Sequence, residues 1–203
     1  MADTREIYAD LTRRISPLQQ GYTATPRTSW AQRTLAELRR ADPAAPGADP
    51  ALWEVTLNNM PEGLAGRGDA PSWAESAIHA SLVLYAVHQQ GASLPMHVSG
   101  VGLGDAVRRV SYARSGSDWD PGTISRFHAL ARAQSSAIRL HHLRGLVTLM
   151  RGEKVPLDYG QLASDLWLLN TRGADRVMLR WGRQLHRLTN TPTPDHSTEG
   201  DNA

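Results

Sequence analysis

Cysteine is absent from the 203 residues of this chain. Its absence excludes disulfide bonds, cysteine-based zinc sites and thiol nucleophiles. No apolar run approaches the ~20 residues that span a bilayer. The N-terminal residues alternate charged and apolar side chains and lack the apolar block of a secretion signal. These absences predict a soluble, cytoplasmic protein with no membrane partner.

Lysine is almost absent as well, because Lys154 is the single lysine among 22 basic residues. One explanation is base composition, since a GC-rich genome encodes chains rich in alanine and arginine. The chemistry of the two residues nevertheless differs: a guanidinium group binds phosphate through two N–H groups and stacks on bases, whereas an ammonium group is a point charge. The arginines therefore suit a polyanionic partner whatever their origin.

The positive charge is concentrated in the C-terminal half of the chain. The formal net charge is only +2, but residues 108–187 hold 14 Lys and Arg against 6 Asp and Glu, a net +8. Residues 1–75 carry a net −2, residues 76–107 hold only Asp105, and residues 188–203 hold three acidic residues. The low net charge therefore does not argue against a polyanionic partner.

The spacing of apolar residues predicts helices along the whole chain. In the first helix, Ile7, Leu11 and Ile15 recur every four residues, and Pro17 is expected to end it. Ser72 and Glu75 form a capping box before a helix without Arg or Lys, which we expect to be the buried centre of the scaffold. The predicted helices cover about residues 4–16, 28–40, 52–60, 73–90, 105–113, 121–133, 136–152, 159–169 and 174–188. No segment shows sustained strand-like alternation, so the predicted fold is all-α.

The polar loop SGSDWDPG, residues 115–122, is the predicted boundary between two parts of the chain. We expect an elongated protein made of two packed helical sub-bundles, residues 1–115 and 116–190, followed by a disordered tail at 191–203. Most of the six tryptophans lie at core spacing, but Trp119 lies in this loop and is expected to be exposed to a base or a partner protein.

The last predicted helix carries a stripe of four arginines. Arg176, Arg180, Arg183 and Arg187 are spaced 4, 3 and 4 residues apart, so they share one face of a helix. Like charges at this spacing cost ~0.2–0.5 kcal/mol per pair, and folding therefore gains nothing from the arrangement. An anionic partner would explain the stripe. The alternatives are a solvated face, or neutralisation by Asp165 and other acids on a neighbouring helix.

A second group of arginines lies on the helices that precede this stripe, and the second helix carries three more. Together they could form a groove that follows a sugar-phosphate backbone by charge instead of reading base edges. The members that we select as candidates are Arg33, Arg39, Arg40, Arg108, Arg109, Arg126, Arg132, Arg139 and Arg144.

Catalysis and metal binding have little support in the sequence. Adjacent histidines, such as His141 and His142, point about 100° apart on a helix, and no acid lies three or four residues from either one. Gly100, Gly102 and Gly104 do not form a phosphate loop, because neither a preceding strand nor a following Lys is present. No G-x-S-x-G motif occurs. We therefore expect a non-enzymatic protein with no metal and no cofactor.

An ordered set of motifs resembles the CasB family, the small subunit of the type I-E CRISPR Cascade complex. The motifs are LAELRR (35–40), SLVLYAVHQQ (81–90), PMHVSGVGLGDAVRRV (95–110), RFHALARA (126–133), HHLRGLVTLMR (141–151), LDYGQLASDL (157–166) and RWGR (180–183). The resemblance implies an α-helical, non-catalytic subunit that is present in two copies and holds guide RNA, target DNA and the displaced strand during R-loop formation. It also implies contacts with other Cascade subunits.

Six basic positions match the family's motifs. They are Arg39, Arg40, Arg108, Arg126, Arg132 and Arg144. The family often has a second basic residue before RFHAL, where this chain has Ser125. Two rival functions stay open at this point: a purely structural adaptor whose arginines bind acidic protein partners, and a metal-dependent hydrolase.

Overall fold

The structure is a computed structural model that describes residues 3–116 and 119–187. Within these ranges the chain forms nine α-helices, one short 3-10 turn at Pro50–Leu52 and no strand, which confirms the all-α prediction. The helices are α1 Thr4–Thr23, α2 Ser29–Arg40, α3 Trp53–Thr56, α4 Trp73–Gln89, α5 Leu103–Ser115, α6 Pro121–Arg132, α7 Ser136–Gly152, α8 Tyr159–Leu169 and α9 Ala174–Leu185. None of the helices in these ranges combines the length and apolar character needed to cross a membrane.

Side-chain caps begin several helices, and one of them is the capping box that the sequence predicts. The Ser72 Oγ accepts a 3.0 Å hydrogen bond from the Glu75 backbone N–H, and the Glu75 carboxylate accepts one of 2.6 Å from the Ser72 N–H. The predicted capping box of α4 is thereby confirmed. Asp158 begins α8 in a similar way, since its carboxylate accepts a 3.0 Å hydrogen bond from the Gln161 N–H. These caps satisfy N–H groups that a helix start leaves without partners.

The first helix continues past Pro17, and the predicted end before this residue is wrong. The apolar face of α1 extends beyond the proline through Leu18 and Tyr22, which are both buried. Pro17 removes one backbone N–H from the helix interior. Burial of Leu18 and Tyr22 against the core offsets that loss, and α1 therefore ends at Thr23.

The fourth helix is the centre of the core, as its lack of Arg and Lys predicts. α4 is buried over most of its length and packs against α1, α2, α7 and α8. His88 of α4 has no exposed surface, and its Nδ1 lies 3.0 Å from the Tyr159 hydroxyl of α8. Burial lowers the pKa of His88 to about 4, because water no longer stabilises the charged imidazolium.

The apolar core is continuous across the predicted boundary after residue 115. α8 packs against both α1 and α4, and the buried apolar residues of all these helices belong to one cluster. The structure thus does not divide the chain into two separately packed sub-bundles. The predicted tail at 191–203, and Leu188 at the predicted end of the last helix, lie outside the described residues.

Helices α5 and α9 approach each other at a glycine. A Cβ atom on Gly104 would overlap the Trp181 carbonyl oxygen and lie 2.7 Å from the Gln184 Cβ. The Gly104 N–H donates a 3.2 Å hydrogen bond to the Gln184 side chain. Gly104 therefore allows close packing of α5 on α9. This packing role explains the glycine without a phosphate loop.

Candidate nucleic-acid interface

Most of the thirteen candidate arginines are exposed. Arg39 and Arg180 are partly exposed, and Arg108 and Arg139 are buried. The nine exposed members are Arg33, Arg40, Arg109, Arg126, Arg132, Arg144, Arg176, Arg183 and Arg187. Among the described residues, none of these nine forms an ion pair with a carboxylate. Nine guanidinium groups are therefore free to meet an external anion as far as the described chain is concerned.

Two of the candidates are buried and have partners inside the protein, which argues against a direct role at the surface. Arg108 is 7% exposed, and its Nη2 lies 3.5 Å from the Asp105 carboxylate. Arg139 is 8% exposed and donates hydrogen bonds to the Asn170 side chain and the Ala133 carbonyl oxygen. Arg139 thus reaches the α6–α7 turn, where it donates to the backbone at Ala133.

The arginine stripe of the last helix is partly neutralised from within. Arg180 forms an ion pair with Asp165 of α8, and the Trp181 Nε1 donates a 2.6 Å hydrogen bond to the same carboxylate. The alternative that Asp165 neutralises the stripe is therefore confirmed at Arg180. Arg187 lies beyond α9, which ends at Leu185. The helical stripe therefore contains three of the four predicted arginines.

The Asp165 side chain is buried, whereas its partner Arg180 is partly exposed. The Asp165 side chain is 1% exposed, and burial raises its pKa to about 6. Loss of hydration outweighs the ion pair with Arg180 and the hydrogen bond from Trp181, both of which lower the pKa. Asp165 therefore neutralises much of the positive charge of Arg180, in a contact that joins α9 to α8.

The exposed arginines lie on two groups of helices. Arg109, Arg126, Arg132 and Arg144 belong to α5, α6 and α7, which pack against one another. α9 packs on α5 and carries Arg176 and Arg183. The remaining candidates, Arg33, Arg39 and Arg40, are on α2, which packs mainly on α1 and α4. More of the exposed candidates therefore lie on α5, α6, α7 and α9 than on α2.

A groove of about 600 Å³ adds an arginine that the sequence did not single out. Arg5 of α1 lines this groove together with Arg176 and Arg180 of α9. Tyr8 also lines the groove, and its hydroxyl lies 2.8 Å from Ser99 Oγ and 3.2 Å from the Asp158 carboxylate. Arg5 belongs to a segment with net negative charge. Local sequence patterns give no signal that it lines the same groove as Arg176, which is 171 positions away in the chain.

The tryptophans differ from their predicted core role. Trp181 is buried, but Trp30, Trp53 and Trp73 are 38%, 50% and 54% exposed, so the core prediction is wrong for these three. Trp119 is 37% exposed, which confirms that the residue is exposed in this loop. Large exposed aromatic side chains are candidates for contacts with a partner.

The histidines do not form a metal site within residues 3–116 and 119–187. No group of three or more His, Asp or Glu side chains in these ranges is arranged to hold a metal ion. The rings of His141 and His142 stand 5.6 Å apart at an interplanar angle of 68°, as expected for neighbours on a helix. His88 and His79 belong to the buried part of α4.

Comparison with known proteins agrees with the fold. The model of the family described as CRISPR-associated protein Cse2 matches residues 34–186. The chain is also similar to CasB from Thermobifida fusca in its crystal structure, with 34% sequence identity and a TM-score of 0.75 over 89% of this chain and 98% of that one. A comparison with curated proteins gave no match. On the family match and the structural likeness together, the chain belongs to the CRISPR-associated Cse2 family.

Proposed function

We propose that this chain is a non-catalytic, nucleic-acid-binding subunit of a CRISPR Cascade surveillance complex. The observation that carries the proposal is the set of exposed arginines on α5, α6, α7 and α9 that have no carboxylate partner among the described residues. Unpaired guanidinium groups on adjacent helices suit phosphate oxygens, which they bind through two hydrogen bonds each. Family membership supports the same assignment.

The energetics of strand exchange explain why such contacts would matter. A guide RNA–target DNA heteroduplex is about as stable as the DNA duplex that it replaces, so the open state is nearly balanced. Backbone contacts from several arginines would then favour the open state without preferring a sequence. In this role the chain would contact guide RNA and the target or displaced DNA strand.

The proposal also includes protein partners. The chain would bind other Cascade subunits and a second copy of itself in the cytoplasm, where the complex would encounter foreign DNA. A rival function, an adaptor that binds acidic proteins, is favoured by the exposed Trp53 and Trp73. The salt dependence of binding separates the two, because release of counterions from a nucleic acid gives a slope of about −0.7 per phosphate contacted on a single strand.

The decisive variant reverses three charges on α6 and α7. We expect Arg126→Glu, Arg132→Glu and Arg144→Glu together to lower affinity for a single-stranded oligonucleotide by at least tenfold at low salt and to make the salt slope shallower by about two units. The circular dichroism spectrum should not change, because all three side chains are exposed. The readout is fluorescence anisotropy across a salt series.

A matched control uses an exposed arginine outside the candidate set. Arg67 is exposed in the loop before α4, so Arg67→Glu makes the same charge change as Arg144→Glu. We expect Arg144→Glu to weaken binding more than Arg67→Glu. Equal affinities for the two variants, or a flat salt response of the wild-type chain, would contradict the proposal and favour the adaptor.

A further inference from the structure

Three aromatic rings form a row at the surface where α5, α6 and the end of α9 meet. The Trp119 ring lies 5.7 Å from the Tyr112 ring at an interplanar angle of 41°, and 5.5 Å from the His186 ring at 43°. Tyr112 and Trp119 are 40% and 37% exposed. The three rings support each other while a large part of the indole faces outward.

The indole forms one wall of an open groove of about 590 Å³. Ile124, His128 and Arg132 line the groove from one face of α6, and Leu185 and His186 line it from the end of α9. Its volume falls within the range of ~300–1,000 Å³ that is typical of small-ligand sites. The groove thus offers a planar aromatic wall and apolar side chains to one planar group.

Among the described residues that line the groove, Arg132 is the basic one and none is acidic. Arg132 is exposed at its edge and has no carboxylate partner among the described residues. The neighbouring Asp120 already has partners: its carboxylate accepts hydrogen bonds from the Thr123 N–H and hydroxyl at 2.8 and 2.6 Å, and lies 3.4 Å from Arg114. A planar group that carries a negative charge nearby is therefore the ligand that the groove suits best.

We propose that this groove, the Trp119 groove, holds one unpaired nucleobase of a single strand. The base stacks on the Trp119 indole, and Arg132 binds an adjacent phosphate. Aromatic side chains that alternate with basic ones bind single strands in this manner, because every base has a π face and every linkage has a charge. The inference rests on the proposed function and adds to it a contact with a base, which the other exposed arginines do not supply.

The test compares two oligonucleotides that have the same number of phosphates. One is a thymidine oligomer, and the other is an abasic oligomer of equal length. We expect the full-length wild-type chain to bind the thymidine oligomer about fivefold or more tightly, which is the lower end of the range for one stacked base. Trp119→Leu should remove this preference, whereas affinity for the abasic oligomer and the salt slope should not change.

Two further variants separate stacking from folding. Trp119→Phe keeps an aromatic face and should retain part of the preference for bases, while Trp119→Leu keeps apolar bulk without it. Trp73→Ala removes a tryptophan that is 54% exposed on α4 and lines a different cavity, and should bind both oligomers like the wild type. All variants should show the wild-type circular dichroism spectrum.

The outcomes distinguish this inference from the proposed function. Binding of neither oligomer by the wild type would overturn both. Equal affinity for the two oligomers, or an unchanged preference in Trp119→Leu, would overturn the base site and leave the phosphate contacts intact. If Trp119→Leu lost binding to protein subunits but bound both oligomers like the wild type, the base site would likewise be overturned. The groove would then be assigned to a protein partner.

Discussion

His88 is a titratable group with no contact with solvent. Its Nδ1 lies 3.0 Å from the Tyr159 hydroxyl, which in turn donates a 3.3 Å hydrogen bond to the Leu84 carbonyl oxygen. Tyr159 is itself fully buried, and burial raises its pKa well above the usual value. The pair therefore stabilises the α4–α8 contact only while both side chains are neutral.

The pH dependence of stability should report this burial. The unfolded chain binds a proton at His88 with a pKa near 6.5, whereas burial lowers the folded-state pKa to about 4. The unfolded state therefore binds more protons between these values, and stability falls as the pH decreases. We expect the wild type to lose about 2 kcal/mol from this group between pH 7 and pH 5, measured by urea unfolding.

The control for this prediction is His88→Gln, which cannot titrate. His79 and His97 also have lowered pKa values because of burial, and they contribute equally in both proteins. The wild type should therefore lose more stability on acidification than the variant. Parallel stability curves for the two proteins would show that His88 is not buried as a neutral group.

Individual arginines show how far a sequence can assign a surface. The density of positive charge from residue 108 onward predicts a basic surface, and seven of the ten candidates in that part of the chain are exposed. The sequence could not show that Arg139 is satisfied by Asn170, or that Arg5 joins Arg176 in one groove. Both facts depend on contacts between residues that are distant in the chain, which helical periodicity does not encode.

At the level of the helices, the α5–α9 contact depends on the absence of a side chain at Gly104. The backbone of α9 at Trp181 lies directly against this glycine. The same contact brings the end of α9 to the Trp119 groove, because Leu185 and His186 follow directly on the packed turn.

Gly104→Ala should therefore separate α5 from α9. The added methyl group would overlap the Trp181 carbonyl oxygen, and backbone atoms cannot move aside as the end of a flexible side chain can. We expect a loss of about 1–3 kcal/mol in the free energy of unfolding, as for other overpacked sites. Gly145→Ala on the surface of α7, where a Cβ would meet no atom within 4 Å, is the control and should stabilise slightly. A Gly104→Ala variant as stable as the wild type would contradict this packing.

The ends of the helices were harder to predict than their existence. The apolar spacing predicted each long helix, and the Ser72 capping box predicted the start of α4. The ends of α1 and α9 differ from prediction for opposite reasons. Burial of Leu18 and Tyr22 carries α1 past its proline, whereas α9 ends at Leu185 although the arginine spacing continues to Arg187.

The described molecule as a whole has one apolar core that is shared by both halves of the chain. α1 makes its most extensive contact with α8, and Ser164 of α8 donates a 2.9 Å hydrogen bond to the Thr4 carbonyl oxygen. A sequence read locally cannot predict this pairing, because both helices have ordinary amphipathic patterns and about 150 residues separate them. The loop at 115–122 therefore indicated a domain boundary that the core does not follow.

Unfolding of the whole chain should accordingly be a single transition. A shared core makes the loss of one half expose the apolar face of the other, so partly unfolded forms should not accumulate. We expect the urea transitions from far-ultraviolet circular dichroism and from tryptophan fluorescence to coincide in midpoint and slope. Two resolved transitions would contradict this expectation and support the prediction of two sub-bundles.

The contact between α1 and α8 also has a consequence for synthesis. The ribosome makes α1 first, but Ile7, Leu11 and Ile15 cannot be fully covered until residues 159–169 have emerged. Until then the nascent chain carries an apolar helix that α2 and α4 cover only in part. Such a chain depends on chaperones or on rapid completion to avoid aggregation before its last third arrives.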